Sequence, residues 1–234
     1  MAGRPIDEAV RAVAAFLVAD APLRATLDQV AGLACAAVEP ARAVGITLTD
    51  ERGRPATEVF TDPVSPDVDA GQYEEGAGPC LDALRQGTVI RVDDTRTTKG
   101  RWPRYARDAE AAGVRSTLSL PLGAAGETFG AMNLYAGAAG AFTEADEADA
   151  VLFATQASVV LANARAYWAA FDLAEGLRQA MESRAVIEQA KGKLMAQTGR
   201  TPDEAFAMLV SASQRENVKL REVARRIVEG ASPV

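Results

Sequence analysis

The stretch "ETFGAMNLYAGAAGAFTEADE", residues 127–147, decides the fold, because the hydrophobic period changes inside it. Residues 127–135 have the composition of a β-strand, and a glycine-bearing turn at 123–126 pairs them with a second strand, "VRSTLSLPL", at 114–122. Thr143 then stands as a helix N-cap, with Asp146 and Glu147 in the first turns. From there the pattern is helical for about 50 residues. A sheet that hands on to one very long helix reads as α+β.

Working upstream, "TVIRV" (88–92) is a further strand, preceded by a short helix, "PCLDALRQG" (79–87), opened by Pro79 and closed by Gly87. "DDTRTTKGRWPRY" (93–105) is polar and irregular and leads into a helix ending at Gly113. Residues 61–78 hold Pro63, Pro66, Gly71, Gly76 and Gly78 with no sustained period, which predicts a long surface loop. "AVGITLTD" (43–50) alternates, with Val44, Ile46 and Leu48 on one face, and it returns through the turn "ERGR" into "ATEVF" (56–60) as a hairpin. Two helices come first. One spans Ile6–Ala19 through Ile6, Val10, Val13, Phe16 and Leu17. The other starts at Pro22, runs through Leu23, Leu27, Val30, Ala34 and Val38 with Leu33 and Cys35 alongside, and stops at Pro40.

Downstream, Ala148, Leu152, Thr155, Val159, Ala162, Ala166, Ala169 and Leu173 recur at alternating steps of four and three, an a/d heptad seam. Two readings stand: the seam covers one face of the sheet, or its C-terminal part pairs with a second copy of the chain as a homodimer. The helix continues through "SRAVIEQAKGKLMAQTG" to Gly199, a suitable residue just past a helix end. Thr201, Pro202 and Glu204 form a capping box with proline at the first helical position. The next helix has Ala205, Met208, Leu209 and Ala212 as its stripe. Asn217 is expected to cap a third, with Leu220, Val223, Ala224 and Ile227 apolar.

Composition bounds the function. The chain has 234 residues, 48% hydrophobic and 24% charged, with no histidine and two cysteines. Histidine triads, histidine general bases and the usual zinc and haem ligand sets are excluded, and neither GxxxxGK[ST] nor a strand-to-helix GxGxxG is present. We therefore expect no enzyme, no catalytic residue, no metal and no cofactor. No apolar run approaches the roughly 20 residues of a membrane span, nor does the start resemble a signal peptide, so no membrane partner and a cytoplasmic location are expected. Residues 172–234 carry 10 Lys+Arg against 9 Asp+Glu while the rest carries 15 against 23, an asymmetry suggesting two units with different partners.

The helix, strand and long-helix order over about residues 20–165 resembles a GAF domain. "NLYAGAAGAFTEADE" is similar to a signature of many GAF domains, with Asn133, Phe142, Asp146 and Glu147 on the pattern and Leu134 in place of a lysine. In the family that pattern accompanies cyclic-nucleotide binding, so the missing lysine argues against such a ligand, and the remaining residues read as a strand-to-helix brace. The C-terminal unit resembles the ANTAR domain, an RNA-binding module of bacterial antitermination regulators, over about residues 172–230. Arg184, Ile187, Gln189, Ala190, Lys191, Gly192, Leu194, Met195, Ala205, Phe206, Leu209, Asn217, Leu220, Val223 and Ala224 fall on its pattern.

The expected fold is thus a GAF-like antiparallel sheet flanked by helices (residues 1–165), joined by a long helix to a small three-helix ANTAR bundle (172–234). The joined architecture is similar to a class of actinobacterial regulators. The resemblance implies that ANTAR dimers bind paired RNA stem-loops and prevent a terminator hairpin, with Lys and Arg meeting phosphates and side chains meeting splayed bases. The expected RNA-binding residues are Arg184, Gln189, Lys191, Gly192, Lys193, Arg215, Lys219, Arg221 and Arg225. Gly192 costs a helix about 1 kcal/mol relative to alanine; either it is a tolerated surface glycine, or it leaves room for RNA or a second helix, with Lys191 and Lys193 to either side.

For the GAF-like unit an unidentified small molecule or protein is the expected partner, with Cys80, Trp102, Tyr105 and Tyr135 as candidate ligand-binding residues. For the aromatics the competing reading is core packing. Cys80, at a helix start where backbone N–H groups lower a thiol's pKa, is either reactive or a buried inert cysteine. Other functions stay open: an interaction module without ligand, a thiol-dependent sulfoxide reductase of GAF type using Cys35 and Cys80, or DNA binding through the last two helices.

Overall fold

The computed structural model describes residues 4–16, 21–50 and 52–230, and the chain divides into two compact units, 1–168 and 169–234. Helix α1 (Pro5–Ala14) begins with proline at its first position and buries Ile6, Ala9 and Val13. Residues 17–19 of the expected first helix lie outside the described residues. Helix α2 (Leu23–Ala37) follows, with Pro22 just outside its first turn and not inside it.

Strands β1 (Ala43–Thr49) and β2 (Pro55–Phe60) form the expected hairpin. Helices α3 (Val64–Glu75) and α4 (Pro79–Gln86), strand β3 (Ile90–Val92), a short 3-10 helix at Thr95–Thr98, helix α5 (Pro103–Ala111) and strands β4 (Ser116–Ala124) and β5 (Glu127–Ala136) follow in the first unit. The sheet is antiparallel throughout, in the order β2-β1-β5-β4-β3.

Residues 61–78 are not a surface loop. They contain α3 (Val64–Glu75), ended by Gly76 in the left-handed region. Its buried residues are Val64, Ser65, Val68, Asp69, Gly71 and Gln72: the helical spacing is there, but polar side chains supply half of them, so no apolar period betrays it. Pro66 falls in the first turn, where no intrahelical hydrogen bond is lost.

Strand alternation sorts the sheet into two faces. Val44, Ile46, Leu48, Val59, Leu118, Leu120, Leu122, Met132 and Leu134 share one apolar core with α1, α2 and the side chains Phe153, Ala154, Ala157 and Leu161. Those last four belong to α6 (Glu144–Thr198), the long helix. Its start is held as expected: Asp146 N donates to Thr143 Oγ1 at 3.2 Å and Thr143 N to Asp146 Oδ2 at 2.8 Å. Phe142 is buried in the core and Glu147 pairs with Arg91, so these residues brace the strand-to-helix junction. Asn133 does not; it lies on the other face of the sheet.

The a/d seam does not cover the sheet. The covering stripe is the offset one just named, and the seam's large side chains are left open, Leu152 at 43%, Val159 at 53% and Leu173 at 66% exposure. The second unit packs the end of α6 against α7 (Pro202–Glu216) and α8 (Leu220–Glu229) around Ala190, Leu194, Ala205, Leu209, Val223, Ala224 and Ile227. Thr201 and Glu204 form the expected capping box. Asn217 does not cap α8; it adopts φ +53° as the left-handed end of α7, and Lys219 precedes α8. Among the described residues no helix is long and apolar enough to cross a membrane.

Candidate functional site

The second face of the sheet is unusual in what it buries. Thr47 of β1, Thr117 and Ser119 of β4, and Asn133 and Tyr135 of β5 alternate with the core residues and are all buried. Helices α3, α4 and α5 place more polar groups over them: Ser65, Asp69, Gln72 and Tyr73 from α3, Cys80 from α4 and Tyr105 from α5.

Asp69 is the centre of this arrangement. Its carboxylate accepts from Tyr135 Oη, from Thr57 Oγ1 (2.8 Å), from Gln72 Nε2 (3.1 Å) and from Asn133 Nδ2 (3.4 Å). Four neutral donors do not replace water and a counter-ion fully. Burial therefore pushes the Asp69 carboxyl up to about 6, against the pull of those hydrogen bonds. Tyr73 links the same network to the sheet edge, 2.8 Å from Thr47 Oγ1 and 2.7 Å from Thr57 Oγ1.

Three of the four expected ligand-binding residues meet here. Trp102, Tyr105 and Tyr135 share one buried cluster; Trp102 and Tyr105 pack edge to face at 6.0 Å, and Tyr105 Oη donates to Thr117 Oγ1 at 2.7 Å. Cys80 joins from the side, its thiol 3.4 Å from Thr47 Oγ1. Of the two readings of Cys80 the geometry fits the buried, inert one: Cys80 is fully buried, and loss of water together with the nearby Asp69 charge pushes its pKa up to about 12. Helix-end N–H groups do not outweigh desolvation at a buried sulfur. Cys35 packs against the opposite, apolar face of the sheet, so the two thiols are not brought together.

Sequence reading missed Asp69, Gln72 and Tyr73, because they fell in the supposed loop. It also missed Thr47, Thr57 and Ser119. The available signal was the repetition of small polar residues at alternate positions of β1, β4 and β5.

The nine expected RNA-contacting residues separate in the second unit. Arg184, Gln189 and Gly192 lie exposed on α6. A Cβ added to Gly192 meets no atom within 4 Å, so nothing within the described chain requires glycine there. Lys191 pairs with Glu188 at 2.7 Å. Lys193 does not flank Gly192 as expected: its ammonium turns to the end of α8 and donates to Ile227 O at 2.9 Å and Val228 O at 3.3 Å, a favourable position for a cation. Arg221 and Arg225 both face Glu222, at 3.4 and 2.9 Å. Arg215 and Lys219 are exposed around the end of α7 and the start of α8. Arg184 and Lys219 form no salt bridge among the described residues.

A model of the GAF domain matches residues 20–162, more than half of the chain. The chain belongs to the GAF domain family. A model of the ANTAR domain matches residues 175–228, so the GAF domain is followed by an ANTAR domain, as the sequence resemblance implied. No curated protein matches the chain.

Solved structures resemble its first unit. One is a free methionine-R-sulfoxide reductase from Neisseria meningitidis in complex with its substrate, 20% identical over 71% of this chain and 95% of that one, with a TM-score of 0.55. Another is the GAF domain of a phosphoenolpyruvate-protein phosphotransferase from Coxiella burnetii, 20% identical over 70% and 96%, at 0.51. The GAF domain of the Acinetobacter phosphoenolpyruvate-protein phosphotransferase is 15% identical over 69% and 93%, also at 0.51. At such identities they show the GAF fold and nothing about its ligand.

Proposed function

We propose that this chain is an RNA-binding transcription antitermination regulator. Its ANTAR domain binds paired stem-loops in nascent RNA and keeps a terminator hairpin from forming. Its GAF domain senses a small molecule or partner and, with the long helix, brings two copies together. The observation that carries this reading is the ANTAR match over residues 175–228, joined to an exposed α6 face of Arg184, Gln189 and Gly192 that the bundle does not use. Exposed cations meet phosphates, and an open face beside them admits unpaired bases.

The homodimer is supported by the seam. Leu152, Val159 and Leu173 of the seam stand exposed at multiples of seven along one helix, whose sheet-covering work falls to a different stripe. Burial against the same seam of a second copy is the economical cover for a row of large apolar side chains at heptad spacing.

Thiol catalysis is disfavoured by the same geometry. A sulfoxide reductase of this fold would need an accessible thiolate, whereas Cys80 is buried with a raised pKa and Cys35 lies across the sheet. We hold the chain to be a regulator and not an enzyme, and place it in the cytoplasm with nascent RNA. The test is binding of the full chain to a two-hairpin RNA against duplex DNA at matched salt, followed by read-through of a terminator. Hairpin-dependent binding with increased read-through supports the reading; tight DNA binding indifferent to RNA loops refutes it.

A further inference from the structure

The polar face of the GAF sheet contains a row of buried atoms whose hydrogen bonding is incomplete. Ser119, Asn133 and Gly45 are paired in register across β4, β5 and β1, and α3 lays Ser65 over this row. A Cβ on Gly45 would stand 3.0 Å from Ser65 Cβ and 3.5 Å from Asp69 Oδ2, so glycine lets α3 seat close on β1 and bring Ser65 and Asp69 to the row. Ser65 Oγ, Ser119 Oγ and Asn133 Oδ1 are buried and meet no hydrogen-bond partner among the described residues. The orientation of Asn133 is set by its amide nitrogen, which donates to Asp69 Oδ1 at 3.4 Å and Thr47 Oγ1 at 3.5 Å. Buried polar atoms without partners are rare in folded proteins, and here three are grouped: Ser65 lies one helical turn from Asp69, and Ser119 pairs across the sheet with Asn133, whose amide bonds Asp69.

The charge around that carboxylate is equally one-sided. The titratable groups facing Asp69 are Tyr73, Tyr135, Tyr105 and Cys80, every one an acid. No lysine or arginine donates to it among the described residues. The row therefore lacks a positive charge and several N–H donors directed at neutral oxygens, which together describe a single chemical group.

We propose that this row binds a primary ammonium group, belonging to the ammonium ion or to a small aliphatic amine. Ser65 Oγ, Ser119 Oγ and Asn133 Oδ1 accept its hydrogen bonds, and Asp69 is its counter-charge. The inference rests on the reading of the GAF domain as a sensor and names the chemistry it senses. A carboxylate and three acceptors favour an ammonium head over a quaternary amine, which has no N–H; the potassium arm of the experiment below separates ammonium from a spherical cation.

The experiment uses the full chain at pH 7.5 and constant ionic strength, with tryptophan fluorescence following thermal unfolding of the GAF domain. Ammonium chloride and methylammonium chloride should raise the midpoint in a saturable way, whereas potassium chloride and tetramethylammonium chloride should not. Asp69→Asn should abolish the saturable response. Ser119→Ala, which removes one acceptor and no charge, should weaken the apparent affinity about tenfold. An equal response to all four salts, or a response unchanged in both variants, overturns the proposal. The two readings are separated by measuring RNA affinity with and without saturating methylammonium. Normal RNA binding with no ammonium response removes the ammonium site and leaves the RNA reading intact. Saturable ammonium binding that leaves RNA affinity unchanged keeps the site and removes its sensing role.

Discussion

Asp69→Asn separates the cost of a buried charge from the value of its hydrogen bonds. The Asp69 carboxyl is raised from 3.8 to about 6 by burial, so the folded GAF domain holds this proton more tightly than the unfolded chain does. Between those values the native state binds more protons than the unfolded one, and stability falls as pH rises. A shift of about 2 pH units corresponds to about 3 kcal/mol, withheld from the native state above pH 6 and restored below about pH 4. Asparagine is neutral throughout and fits the donors. Its Oδ1 takes the three bonds from Tyr135, Gln72 and Asn133, and its Nδ2 donates to Thr57 Oγ1, which turns its own proton to Tyr73.

The variant should therefore be more stable than the natural chain at pH 7.5 by up to about 3 kcal/mol, and equally stable near pH 4. Both tryptophans lie in the first unit, Trp102 inside the cluster beside Asp69, so urea unfolding followed by their fluorescence reports the right domain. With a slope of about 2 kcal/mol per molar urea, the midpoint should move up by about 1.5 M at pH 7.5. Taking the difference between variant and natural chain cancels the opposite pH dependence of surface carboxylates such as Asp50 and Asp94, which arginine and backbone donors hold low. Amine salts are left out of this measurement. A variant that is less stable at pH 7.5, or whose advantage is the same at pH 4, would show that the four donors outweigh the burial cost.

Other perturbations act on separate parts of the chain. Leu173→Asp puts a charge into the exposed heptad seam at a residue outside the buried cores; it should leave the circular dichroism unchanged and shift sedimentation equilibrium toward monomer. Gly192→Ala should raise bundle stability by about 1 kcal/mol, because its Cβ meets nothing, while RNA affinity or dimerisation falls. A stabler bundle with unaltered binding would assign Gly192 to an idle surface. Lys193→Met removes the cation from the end of α8 and should lower the bundle's melting temperature by an amount equivalent to about 1 kcal/mol, followed by far-ultraviolet circular dichroism; lost RNA binding at unchanged stability would contradict that role. Thr201→Ala breaks the capping box and should cost about 1 kcal/mol by the same measurement.

What could be read in the sequence was whatever local pattern dictates. The β1–β2 and β4–β5 hairpins followed from alternation and turn residues, and the Thr201–Glu204 cap from four adjacent positions. The long helix followed from its period, but which stripe covers the sheet did not, since alanine-rich stripes on both sides carry nearly the same apolar signal. Helix α3 was hidden because Ser65, Asp69 and Gln72 supply its buried face. The buried polar face was hidden for a related reason: Thr47, Thr117, Ser119 and Asn133 alternate with apolar residues just as a half-solvated strand does. Only the packing of α3 and α5 shows that this face is dry. Lys193 illustrates the third kind of limit, since its carbonyl partners lie more than 30 residues away, at Ile227 and Val228. Asn217 was ambiguous by chemistry, because asparagine serves both helix starts and left-handed helix ends.

The most direct test of the proposed function is the affinity of the full chain for a two-hairpin RNA, measured over a range of salt beside the same RNA with one hairpin unpaired and beside duplex DNA. Tight binding that needs both hairpins, weakens steeply with salt and is lost on Arg184→Ala without loss of fold is the expected result. Equal affinity for all three nucleic acids, or none for the paired hairpins, would contradict it.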